Sequence, residues 1–126
     1  MITAYSIKPD FEKAARLENA VFIHLRRTFK NICYYKTKKS GKEIDFVVTT
    51  PIGDLFLVQV CLTMDDPSTR ERELTALYEA CVEFDLKEAM IVTEDTQEEV
   101  RYKDLVIQCI PFWVWALQPT TDLARH

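Results

Sequence analysis

Residues 55–62, LFLVQVCL, are apolar at every position except Gln59. Along an extended strand, successive side chains point to opposite faces of a sheet. A strand that is apolar on both faces is buried on both, so it is central and covered on either side. The segment therefore predicts a sheet covered on both faces, and with the connections of the neighbouring segments it gives an α/β fold, a mixed β-sheet flanked by helices. The rest of the chain can supply those layers. Apolar residues make up 48% and charged residues 29%, an ordinary globular balance that excludes a disordered chain. Its 126 residues fit one domain with a real core and leave no room for separate substrate and cofactor modules.

The neighbouring segments follow from periodicity. Residues 10–27 predict an amphipathic helix with Asp10 as its cap and Phe11, Ala14, Ala15, Val21, Phe22 and Leu25 on its buried stripe. Strands are expected at 31–35 and 43–50, joined by the polar turn KTKKSGK. Pro51-Ile52-Gly53-Asp54 has hairpin chemistry and leads into the apolar strand. A helix over 68–84 is capped by Asp66 or by a Ser68–Glu71 capping box, with Leu74, Leu77, Tyr78, Cys81 and Phe84 as its stripe. A fourth strand covers 88–93, an acidic turn or short helical segment 95–99, and a fifth strand 105–110. Pro111 ends that strand, and FWVWAL makes a short apolar helix over the sheet edge and the fourth strand. Residues 119–126 read as a frayed tail. Short connections make the first three strands antiparallel, and the long crossover through 68–84 returns the fourth parallel to the third.

The net charge of -4 hides a split. Residues 1–42 hold ten Lys/Arg against three Asp/Glu, and the remainder holds six against seventeen. The opening is not that of a secretory signal, and no stretch approaches the roughly 18 apolar residues of a membrane span. These features point to the cytoplasm. The cysteines, Cys33, Cys61, Cys81 and Cys109, are widely spaced, show no zinc pairing, and read as small buried hydrophobes.

Three polar residues break the apolar pattern. Glu18 falls on the expected buried stripe of the first helix, Asp45 lies between Ile44 and Phe46, and Gln59 lies mid-strand. In the plausible hairpin registers Asp45 pairs near Gln59 or Cys61, so the three groups converge where the helix packs on the sheet. Buried carboxylates need partners. Glu18 and Asp45 could supply oxygen ligands to Mg²⁺ or Mn²⁺, or all three residues could form a satisfied polar network. Lys36, Lys38 and Lys39 are near in sequence, on the preceding turn, and Lys36 or Lys38 could stand in for the cation missing from that set. Arg26, Arg27, Lys30, Lys36, Lys38, Lys39 and Lys42 form a basic cluster that offers a phosphate-binding face, a docking face for an acidic partner, or simply a solvated surface.

The runs LENAVFIHLRR, YYKTKKSGKEIDFVV, LFLVQVCL and DPSTRERELTALYEA, in that order, resemble the C-terminal domain found behind many prokaryotic AAA-type ATPases. The resemblance spans roughly residues 15–118. It implies a restriction-endonuclease-like, PD-(D/E)XK type fold and an ATPase module as partner, in cis or in trans. The chain lacks the G-x-x-x-x-G-K-[ST] phosphate loop, so any ATPase activity belongs to a different module and the domain is expected as the tail of a longer protein or a remnant. In active members of the nuclease superfamily a helix Glu, a strand Asp and a Glu-x-Lys pair form the site. These roles fall on Glu18, Asp45, Gln59 and Cys61. Gln59 lacks the anionic charge and Cys61 lacks the cation, so the site is degenerate. The expectation is a noncatalytic nuclease-like interaction or regulatory domain with no required cofactor. The alternatives are a nucleic-acid-binding module that does not cleave and a weak Mg²⁺- or Mn²⁺-dependent DNA nuclease.

Overall fold

The computed structural model describes residues 9–118. The expected frayed tail at 119–126 and the side chain of the expected cap Asp10 lie outside what it describes. The order is α1 (Pro9–Arg26), β1 (Asn31–Lys36), β2 (Glu43–Thr49), β3 (Leu55–Val60), α2 (Pro67–Phe84), β4 (Glu88–Thr93), β5 (Glu98–Tyr102), β6 (Leu105–Pro111) and α3 (Phe112–Ala116). The six strands form one sheet in the order β1-β2-β3-β4-β6-β5. β1, β2 and β3 are an antiparallel meander, β3–β4 and β4–β6 are parallel, and β5–β6 is antiparallel. This is the expected mixed sheet, with β3 in the interior position that a double-sided apolar strand requires.

Alternation along the strands sorts the core into two halves. Leu57 and Cys61 of the β3 segment, Ile91 of β4 and Ile107 of β6 pack under α2, against Leu74, Leu77 and Cys81. Val58, Met90, Val92 and Ile110 face the other way, against Val21 and Leu25 of α1 and Trp115 of α3. The short aromatic helix thus covers the sheet interior at β4 and β6, not an edge. Trp115 is fully buried, and its ring centroid lies 4.9 Å from that of His24. His24 Nε2 and Trp115 Nε1 are buried there without hydrogen-bond partners among the described residues. Burial, then the nearby Arg27, lowers the His24 pKa.

Four local expectations are corrected. On α1, Phe11, Ala15 and Phe22 are exposed, whereas Val21 and Leu25 are buried and Leu17 is half-buried. The helix packs on a narrower face than its apolar residues suggest, and Phe22 instead stacks on Phe46 at 6.0 Å. Residues 98–102 form an edge strand, which takes the last two residues of the turn or helical segment expected over 95–99. Val100 points into the core, Arg70 of α2 holds Glu98 through two hydrogen bonds of 2.9 and 3.1 Å, and Lys103 (φ 57) turns the chain into β6. Third, Cys33 is exposed on β1, while the other three cysteines are buried. Last, β3 ends at Val60, two residues earlier than expected, yet Cys61 N–H still bonds Val92 O and Glu94 N–H bonds Leu62 O.

The expected cap of α2 is resolved in favour of Asp66. Its Oδ2 accepts from Thr69 N–H at 2.9 Å and from the Ser68 hydroxyl at 2.7 Å, with Pro67 opening the helix. In the turns, Gly41 (φ +69) and Gly53 (φ +94) occupy left-handed backbone that suits glycine.

Candidate functional site

The site is a cleft of about 450 Å³ lined by residues of α1, β2, β3, α2 and the β1–β2 turn. Its origin is a local fault in the sheet. Cys33 faces Val47 and Tyr35 faces Ile44, so Tyr34 alone spans the place of both Asp45 and Phe46. That two-against-one count is a bulge on β2, a device that re-aims side chains. The β2–β3 pairing is regular from Thr49↔Leu55 to Phe46↔Val58. Continued by one residue, it sets Asp45 opposite Gln59. At that point side chains replace the ladder. Asp45 N–H donates to Gln59 Oε1 at 2.6 Å, and Val60 N–H donates to Asp45 Oδ2 at 2.8 Å.

Gln59 is 3% exposed, and both ends of its carboxamide are in use. Besides accepting from Asp45, its Nε2 donates to Glu43 O at 3.1 Å and to Glu73 Oε1 at 2.9 Å. Glu73 is a buried carboxylate of α2, also reached by Arg72 at 3.3 Å. It was not anticipated. Its signal was available, because Glu73 shares the helical spacing of Ala76, Leu77 and Ala80 on the buried stripe.

Glu18 is exposed rather than buried on α1, and it lines the cleft from that side. Burial pushes the Asp45 carboxyl up to about 7, with Glu18, Glu73 and Glu43 adding to the rise while the Val60 N–H opposes it. Burial likewise raises the Glu73 pKa, against the pull of Arg72 and Gln59. Cys61 belongs to the core under α2, and its Sγ–H donates to Thr63 O at 3.0 Å. Burial, then Glu73, pushes its thiol up to about 11, so it is a neutral core side chain.

The cations that line the cleft are Lys42 and Arg72, not the expected Lys36 or Lys38. The basic residues also do not form one patch. Arg26, Arg27 and Lys30 sit at one end of β1 and Lys36, Lys38 and Lys39 at the other, about 20 Å apart at the rise of an extended strand. Lys42 belongs to the second group's turn, where its backbone pairs with Thr37, and it also lines the cleft.

These residues fit a catalytic divalent cation poorly. The Gln59 oxygen is occupied by a backbone N–H, and one Asp45 oxygen is occupied by another. Among the described residues no three His, Cys, Asp or Glu side chains are grouped to hold a metal ion. No helix among them is long and apolar enough to cross a membrane.

No curated protein matches the chain. A family model described as "Domain of unknown function (DUF4143)" matches residues 13–115, a span that takes in all six strands, α2 and every residue of the cleft. The chain therefore belongs to the DUF4143 family.

Proposed function

We propose that this domain is a noncatalytic, nuclease-like module that serves interaction or regulation alongside an ATPase. The observation that carries the reading is the state of the two positions where active nucleases hold Glu-x-Lys. Gln59 is consumed by hydrogen bonds that close the β2–β3 fork, and Cys61 is part of the hydrophobic core. Neither side chain can supply the charge that a phosphodiester displacement demands. The restriction-endonuclease-like fold is the specific form of the α/β architecture favoured by this reading, through the placement of Glu18, Asp45 and Gln59 around one cleft. The ATPase association is supported by the resemblance of residues 15–118 to domains that follow such motors.

The test is a cleavage assay on duplex and single-stranded DNA with Mg²⁺ or Mn²⁺. No cleavage above the metal-only control is expected. Cleavage that disappears in Asp45→Ala overturns the noncatalytic reading.

A further inference from the structure

Among the described residues, the outer edge of β1 is open. β1 ends the sheet, and no backbone hydrogen bond beyond its pairing with β2 engages residues 31–36 among the described residues. Its N–H and C=O groups on that side form a template for another strand. Cys33 and Tyr34 are exposed along it, Tyr34 by 55%, and Ile32 and Tyr35 are half-buried.

The two ends of this edge are positive. Lys30 precedes the strand, Lys36 closes it, and Lys38 and Lys39 follow in the turn. None of the four forms an ion pair among the described residues. The turn is also fixed in place, because Lys38 and Lys39 N–H groups donate to Glu83 Oε2 at 2.8 and 3.2 Å. At the opposite edge the charges are matched internally, with Glu98 on Arg70 and Glu99 on Arg101.

We propose that the β1 edge binds an extended acidic peptide segment of a partner protein as a seventh strand. Backbone pairing supplies the affinity, and the lysines at either end select for negative charge. Two competing occupants fit less well. A second copy of β1 in antiparallel register about Cys33 sets Lys30 against Lys36, a like-charge contact. A DNA backbone offers phosphate acceptors to the lysines and N–H groups but no donors to the row of carbonyls. The proposal deepens the interaction-module reading by naming the partner's chemistry, and it rests on that reading. Its failure leaves the outcome of the cleavage assay untouched, so the two fail separately.

The experiment is fluorescence anisotropy on the full chain with a short labelled peptide alternating Glu with Val. A matched peptide carries N-methyl groups on alternate amides, and a labelled DNA of equal charge serves as the third probe. Saturable peptide binding is expected, weakened about tenfold or more by N-methylation and by Lys30→Glu with Lys36→Glu. These lysines are exposed, and circular dichroism checks that the double variant keeps its fold. Absence of peptide binding overturns the proposal. So does equal binding of the N-methylated peptide, which reduces the contact to charge alone, or binding of the DNA but not the peptide.

Discussion

Asp45 shows how one carboxyl can hold a fold together and oppose it at once. Its oxygen satisfies the Val60 N–H where the ladder has ended, yet burial and three other carboxylates disfavour its charge. Its folded pKa of about 7 lies above the usual carboxylate value of about 4. The folded state therefore holds the proton more tightly than the unfolded state. That contribution to stability is full below about pH 4 and is lost as pH rises to about 7. Asp45→Asn keeps an acceptor for Val60 without the charge. At pH 8 the variant is expected to exceed the parent by on the order of 2 kcal/mol, and the gain should vanish at pH 4. Urea unfolding at the two pH values checks this. Glu73 is raised by burial in the same direction, so a smaller slope survives in the variant. Asp45 and Gln59 were legible as anomalies in apolar strands. Glu73 was less so, because a Glu within the charged run RERE reads as surface until the packing partner of α2 is known.

Among the elements, the β1–β2 turn owes its shape to the helix beside it. Glu79 accepts from the hydroxyls of Thr37 and Ser40 and from Ser40 N–H, while Glu83 accepts from Tyr35 and the Lys38 and Lys39 amides. These donors hold both carboxyls below their usual range. The turn forms one wall of the cleft through Gly41 and Lys42, so α2 sets the width of the cleft as well as its floor. Glu79→Ala is expected to speed amide exchange at Ser40 by on the order of tenfold, while exchange in β3 is unchanged. Hydrogen exchange read by NMR checks this. From sequence the segment was recognisable as a polar turn around Ser40-Gly41. Its anchoring was not, since it depends on carboxylates some forty residues later. β5 was hidden for a similar reason. A five-residue strand with only Val100 buried gains its identity from β6 and from Arg70, both distant in sequence.

At the scale of the molecule, the sheet divides the hydrophobic interior into two compartments. One lies under α2 and the other under α1 and α3. Ile107 and Val21 belong to different compartments and are both fully buried. Ile107→Val should cost about 1 kcal/mol and Val21→Ala about 1–3 kcal/mol. The double variant is expected to equal their sum within about 0.5 kcal/mol, as measured by denaturant unfolding. A marked departure would mean that the two faces communicate through the sheet. This plan was largely readable in advance, because LFLVQVCL demands two covering layers and the long connection through α2 demands a parallel return. The exact face of α1 was not, since the same helix carries more apolar residues than the sheet can cover.

The contrast among the cysteines has a practical consequence. Cys61, Cys81 and Cys109 are sealed in the compartment under α2, and burial pushes their thiols up to about 11, 12 and 12. Cys33 stands on the open edge. A thiol reagent thus meets a single ready target on the native molecule, and the other three sulfurs become reachable only when the layer beneath α2 opens. Alkylation followed by mass measurement separates these events within one sample. Protection of Cys33 then marks occupancy of the edge, while the slower additions time the opening of the fold.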